Sequence, residues 1–160
     1  MQIFVNTTDG EARELLPEWL DERRIEPGEL ELRRARSVRE ALRELLVANN
    51  EGAGPSPRAL VTLDRAAERA RYTFRLRPDT TAGLLPLAHG VDGAIGGVLA
   101  AAFAAVEDGS WGRLKACRNC RWAFYDYSRN RAAGWCSMSL CGNRLKTRAY
   151  RARQRSRSAR

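Results

Sequence analysis

Several kinds of residue are scarce in this chain of 160 residues: it has one histidine, two lysines and, beyond residue 110, a single acid. The lone histidine, His89, has no cysteine or carboxylate-rich motif near it in sequence, so it reads as a structural or surface residue and not a general base. Long apolar runs are missing too. The longest uncharged stretch, Gly93 to Val106, is 14 residues, below the roughly 18 that a membrane helix needs. No basic segment followed by an apolar run opens the chain, so no secretory signal is expected. The expected location is cytoplasmic and nucleoid-associated, with no membrane partner. Cysteine is absent from the first 110 residues and occurs four times after them. Stable disulfides are rare in a reducing compartment, so these four thiols need another explanation.

Charge divides the chain. Residues 1–110 hold 14 Arg and 18 acids, a net −4, whereas residues 111–160 hold 14 Lys and Arg against Asp126 alone, a net +13. Arginine dominates lysine in both halves, so that ratio says nothing about a partner; the asymmetry does. With the placement of the cysteines it marks an acidic domain over residues 1–110, a basic, cysteine-bearing module over 111–155 and a basic tail over 156–160. It also predicts an anionic partner for the second half, nucleic acid before an anionic membrane surface.

In the first half, Glu29 to Asn49 reads as a long helix. Leu32, Ala35, Val38, Leu42, Leu45, Leu46 and Asn49 point inward and the Arg and Glu residues outward. Pro17 to Arg24 reads as a shorter helix with Trp19 and Leu20 inward. Ser56 caps a third, with Pro57 at its first position and Leu60, Leu63, Ala67 and Ala70 inward. Tyr72, Phe74 and Leu76 alternate with polar residues, as in a half-buried strand, and Leu84 to Leu87 is a second, edge strand. Asp92 to Glu107 is an Ala-rich helix, apolar almost all round, in which Gly93, Gly96 and Gly97 permit close packing. Those glycines do not make a phosphate loop, since no Lys-Ser/Thr ending follows.

In the second half the cysteines fall as Cys117-x2-Cys120, fifteen residues, then Cys136-x4-Cys141. Two close pairs joined by such an arm match the spacing of a structural zinc site. A knuckle aims two thiolates at one ion and the arm returns two more, closing the shell against a catalytic water. One structural Zn2+ on Cys117, Cys120, Cys136 and Cys141 is therefore expected. Two disulfides are disfavoured by the compartment, and a redox pair by the lack of a thioredoxin-like pattern. Arg113 to Ala116 can pair with the aromatic segment Trp122, Phe124, Tyr125 and Tyr127. Ser137 or Ser139 can then cap a helix from about Leu140 to Arg153. The predicted fold class is α+β, mainly α: a helical amino-terminal domain with a short β-hairpin, then a small treble-clef-like zinc module with four cysteine ligands.

The residues around the last cysteine resemble a known family. Cys141-Gly142-Asn143-Arg144 reads CGNR, accompanied by Trp122-Ala123-Phe124-Tyr125-Asp126, Ser128-Arg129-Asn130, Trp135-Cys136-Ser137-Met138 and Ala149-Tyr150-Arg151. This is similar to the CGNR zinc-finger family of bacterial proteins, in which the finger follows an ABATE domain. Phe4-Val5-Asn6-Thr7 and the Leu15, Trp19, Leu20 segment resemble the opening of that domain, with fewer apolar residues before it than is usual, so a short first element is expected. The resemblance implies zinc on the four cysteines and a DNA-binding, stress-induced transcription regulator.

Three readings of function follow, none enzymatic. In the first, duplex DNA is bound by the helix after Cys141. Asn143 and Arg144 lie near base edges, and Lys146, Arg148, Arg151 and Arg155 continue the DNA-binding face. Bracing of the zinc loop is an equal alternative for Asn143. In the second, Trp122, Tyr125 and Tyr127 stack the bases of RNA, against the blander expectation that they form the module's small core. In the third, the zinc staples a protein-interaction adaptor. The sequence also leaves room for a homodimer through the amino-terminal domain and for a small-molecule effector there.

Overall fold

The computed structural model describes residues 1–8, 13–76, 81–143 and 147. Its axis is helix α3, Glu29–Glu51; before it come α1 (Gln2–Val5) and α2 (Leu16–Asp21), and after it α4 (Pro57–Ala70). Strands β1 (Tyr72–Leu76) and β2 (Ala82–Pro86) form an antiparallel hairpin, followed by α5 (Gly90–Glu107). A 3-10 turn at Trp111–Arg113 leads into β3 (Leu114–Ala116), which pairs antiparallel with β4 (Ala123–Tyr125). A π-helical turn spans Met138–Gly142. The chain is thus mainly helical with a short hairpin, followed by the cysteine-bearing region, as the sequence predicts.

Local chemistry sets the ends of these helices. Glu31 accepts the Gly28 N–H at 2.8 Å at the start of α3, and Gly52 ends it in the left-handed region at φ 77°. The Ser56 hydroxyl accepts the Ala59 N–H at 3.2 Å at the start of α4. Ala35, Val38, Leu42 and Leu46 of α3 are buried as expected, but two arginines expected outside are buried with them. Arg39 donates to Glu14 at 2.5 Å and to Thr7 at 3.2 Å; Arg43 donates to Glu40 and to the carbonyls of Val5 and Arg121. Burial of a guanidinium is tolerable because each stem packs while acceptors meet its N–H groups.

Helix α4 also departs from its expected face. Leu60 is 45% exposed, and the buried positions are Ala59, Ala66 and Ala70, with Leu63 packed against the core. The small side chains let α4 lie against α3 and α5, turning the helix by about one residue from the leucine-centred face. The β1–β2 hairpin has the predicted alternation without the predicted burial. Tyr72 donates to the Gly96 carbonyl of α5 at 3.1 Å, but Phe74 is 62% exposed and Leu76 72%. A cleft of about 760 Å³ opens there between Phe74 and Leu84 on one side and Ala100, Phe103 and Ala104 on the other.

Helix α5 has the length and composition to cross a membrane, which the charge-free stretch had understated. In the fold it packs on α4, β2 and α3, and Asp92 in its first turn pairs with Arg69 at 3.2 Å. Two of its four glycines are close approaches. A Cβ at Gly96 would stand 2.6 Å from the Pro86 Cβ and 2.8 Å from the Ala70 Cβ; Gly93 abuts the Ala88 carbonyl, whereas Gly97 has nothing within 4 Å. Both neighbours of Gly96 are rigid. Gly96→Ala is expected to cost about 1–3 kcal/mol through overpacking, and Gly97→Ala to be neutral or stabilising through helix propensity. Thermal melts of the two variants compared with wild type check this; equal melting temperatures would contradict it.

The hydrophobic core does not stop at residue 110. Leu114, Ala116 and Ala123 belong to the same buried cluster as Phe4, Leu42 and Ile95. The end of α3 serves as a platform for the cysteine region. Asn49 donates to the carbonyls of Trp111 (3.0 Å) and Leu114 (2.9 Å), and Asn50 to those of Ala116 (2.8 Å) and Gly134 (3.0 Å). From the other end of the chain, Asn6 pairs with Ala123 as one residue of a third strand would, its Nδ2 donating to the carbonyl at 2.8 Å and its Oδ1 accepting the N–H at 2.7 Å.

Candidate metal centre

The first cysteine pair lies where the β3–β4 hairpin turns. The Cys117 N–H donates to the Trp122 carbonyl and the Arg121 N–H to the Cys117 carbonyl, both at 2.9 Å. This tight loop puts Arg121 in the left-handed region at φ 61°, a conformation that favours glycine. Arg121 is held on both sides, its carbonyl by Arg43 and its guanidinium by Glu51 at 3.2 Å.

The arm that carries the chain to the second pair is pinned by a buried ion pair that hydrophobic patterning does not show. Asp126 is fully buried and accepts from Lys115 Nζ (2.7 Å), the Ser128 N–H (2.9 Å) and hydroxyl (2.6 Å), and the Ala133 N–H (3.0 Å). Lys115 spends its other protons on the carbonyls of Arg131 (2.6 Å) and Ala133 (3.2 Å). Burial alone would raise the Asp126 carboxyl, but Lys115 and these donors outweigh it and hold the group well below the ordinary carboxylate range.

Of the second pair, Cys141 sits on the π-helical turn and Cys136 just before its cap. The Ser137 hydroxyl accepts the Leu140 N–H at 3.3 Å, so Ser137 is the cap of the two serines considered. The Ser137 carbonyl accepts both the Cys141 and Gly142 N–H groups at 3.0 Å. A Cβ at Gly142 would stand 2.7 Å from the Met138 sulfur, the end of a flexible, half-exposed side chain that can move aside.

The sulfurs converge. Cys120 and Cys136 are 3.6 Å apart, Cys136 and Cys141 3.7 Å, and Cys141 and Cys120 3.6 Å, with all four within 4.8 Å of one another. These spacings are too long for a disulfide. They fit a tetrahedron around one ion, since four Zn–S bonds of about 2.3 Å place sulfurs about 3.8 Å apart. The donor chemistry agrees. Burial and the neighbouring sulfurs push Cys136 strongly upward, and burial pushes Cys120 up as well. Burial also opposes ionisation of Cys117, but the N–H groups of Cys120, Cys136 and Asn119 overcome it and bring that thiol to about 7. Four thiolates in this space therefore need a cation, and one structural zinc satisfies them. Asn119 Nδ2 lies 3.5 Å from the Cys141 sulfur, placed to orient it.

The six other expected site residues divide unevenly. Asn143 is exposed and donates through Nδ2 to the Ser139 carbonyl at 3.2 Å, a brace across the turn. Arg144, Lys146, Arg148, Arg151 and Arg155 lie outside the described residues, as do most of the expected helix to Arg153 and the tail at 156–160. Within 111–143 most of the basic residues are occupied. Arg113 donates to the carbonyls of Asp126 and Ser128, Arg118 to that of Asn50, and Lys115 and Arg121 are paired as above. Of the aromatics expected to form a small core, Tyr125 alone packs against the buried cluster. Ala116, Ala123 and Leu114 fill that place, while Trp122 is 38% exposed and Tyr127 87%.

Sequence reasoning turned Asn49 inward without its role, and missed Asn6, Arg43, Asn50 and the Lys115–Asp126 pair. Buried polar residues disturb no apolar period; the one available signal was a lone acid in a basic segment.

A helical unit leaning on a zinc-stapled hairpin defines a class of small metal-binding protein in which the metal organises structure. The family comparison is specific. Residues 4–108 match the ABATE family, described as "Putative stress-induced transcription regulator", and residues 113–154 match the CGNR zinc finger. The chain belongs to the ABATE family and carries a CGNR zinc finger at its carboxyl side. No curated protein is similar enough to match it.

Proposed function

We propose that this protein is a cytoplasmic, non-enzymatic regulator of transcription that binds duplex DNA through its zinc-finger region. One observation carries the reading. The sole acid of residues 111–160 is Asp126, and it is buried against Lys115, so residues 111–143 present no carboxylate to a phosphate backbone. Eight of the fourteen basic residues of that half follow Asn143, beyond the zinc ligands. With four thiolates and one Zn2+ the region still carries about +11. The family description points the same way.

In this reading the zinc is a staple. Arg148 and its neighbours meet phosphates, and Asn143 and Arg144 lie nearest to base edges. A single short element reads few base pairs, so a second copy of the chain is part of the proposal. The exposed Phe74, Leu76, Phe103 and Val106 beside the α5 cleft are the surface on which a two-fold contact, or an effector seated in the cleft, would act.

Salt titration of duplex binding tests this. If three to five arginines displace counterions, log affinity against log salt falls with a slope of roughly −3 to −5. Arg148→Ala should weaken all sequences alike and flatten the slope by about one. Arg144→Ala should cost about 1–3 kcal/mol on the preferred site and relax preference at one position. Absence of duplex binding at moderate salt would refute the reading.

A further inference from the structure

A groove of about 570 Å³ runs beside the metal centre, lined by Gln2, Ile3 and Asn6 of the first segment and by Trp122, Tyr125 and Tyr127 of the zinc-finger region. We infer that this groove binds an unstacked nucleobase of a single-stranded segment. The inference rests on the nucleic-acid reading above and sharpens it, assigning base contact to the aromatic edge of β4 as well as to the residues that follow Cys141 in sequence.

Three features of the groove suit a base better than another occupant. First, its walls are aromatic and open. Tyr127 is 87% exposed and Trp122 38%, so both offer aromatic surface for stacking, while Tyr125 packs on the core and backs Tyr127 with its ring 4.7 Å away at 54°. Any base offers a π-face to such rings, and alanine replacement of a stacking aromatic typically loses several-fold to a hundredfold in affinity.

Second, the groove has edge-reading groups. The bonds from Cys117 N–H to the Trp122 carbonyl and from Asp126 N–H to the Arg113 carbonyl set the ladder's alternation. That alternation turns the N–H and carbonyl of Ala123 and Tyr125 to the free edge of β4. Asn6 fills the Ala123 position, so Tyr125 keeps one donor and one acceptor side by side at the groove, and Gln2 adds an amide. A base carries the matching donor and acceptor on its Watson–Crick edge.

Third, the charge is complementary. No acid lines the groove, and the only acid of residues 111–160 is buried elsewhere. A strand entering it would meet no carboxylate to repel its phosphates.

The test uses the full zinc-loaded chain and labelled oligomers read by fluorescence anisotropy: oligo(dT), oligo(U), an abasic strand of equal length and a duplex. Wild type should bind oligo(dT) or oligo(U) at least about fivefold more tightly than the abasic strand. Trp122→Ala and Tyr127→Ala should each remove most of that difference while the slope against salt stays unchanged, because stacking displaces no counterions. Tyr127 is nearly all solvent-exposed, so its variant keeps the fold; zinc content and circular dichroism verify this for both. Equal affinity for the abasic and natural strands overturns the inference. So does unchanged oligomer binding in both variants, or their binding an apolar peptide less well with oligomer affinity intact. Retained duplex binding in any of those cases leaves the regulator reading standing, whereas loss of duplex binding in wild type strikes that reading.

Discussion

Replacing Cys136 by serine is expected to release the zinc and to lower the stability of the whole chain, beyond the cysteine region itself. Zinc binding to four thiolates of this kind contributes on the order of 10–16 kcal/mol at neutral pH, far more than the few apolar residues of 111–143 could supply. Losing one thiolate opens the shell and leaves Cys120, whose ionisation burial already opposes, with fewer partners to hold a cation beside it. The effect should spread because Leu114, Ala116 and Ala123 lie in the common core, and Asn49 and Asn50 bond to carbonyls that only the folded hairpin presents. Elemental analysis should fall from about one zinc per chain to almost none, and the helical signal at 222 nm should melt at a lower temperature. A chelator should reproduce both effects in the wild type. A helical melt indifferent to zinc would mean that the contacts across residue 110 contribute little, and that residues 1–110 stand alone.

Asp126→Ala should be the most damaging single change away from the cysteines. It leaves the Lys115 ammonium buried without its counterion and frees the Ser128 and Ala133 N–H groups, a loss of about 3–5 kcal/mol. For a chain of this size that is roughly a 10 °C fall in melting temperature. The pH dependence has a definite sign. The folded carboxyl titrates below its unfolded value, so its stabilisation is complete above about pH 4 and is lost as pH falls from there. The gap between variant and wild type should be flat from about pH 6 to 8 and narrow in acid. The paired replacement Lys115→Met with Asp126→Leu should cost less than Asp126→Ala, since it removes both charges. A gap that widens in acid, or a double variant worse than the single, would place the stabilising effect elsewhere.

The reach of sequence reasoning differed between elements. Helix α3 and the Ser56 cap of α4 were legible, because apolar period and capping chemistry are local. The β3–β4 pairing was legible because the cysteines on either side mark its turn. The inward face of α4 was not: Leu60 obeys the period as well as Ala59 does, and only the proximity of α3 and α5 selects the alanines. Phe74 and Leu76 alternate as a buried strand would, yet nothing local says that α5 stands away from them. Arg39 and Arg43 looked like surface residues because their acceptors, Glu14 and the carbonyls of Val5 and Arg121, are distant in sequence.

By itself, the sequence determined the metal and its ligands, because coordination chemistry restricts the spacing of four cysteines and CGNR carries its own signature. It also determined the separation of charge between the halves, which is a count. Tertiary structure alone decided that the two halves share one core, that the single acid of the basic half is spent inside on Lys115, and that Trp122 and Tyr127 are exposed while Tyr125 packs on the core. Each of those is a matter of which groups meet across long stretches of chain. Pairing of Asn6 with Ala123, 117 residues apart, depends on packing that no local period encodes.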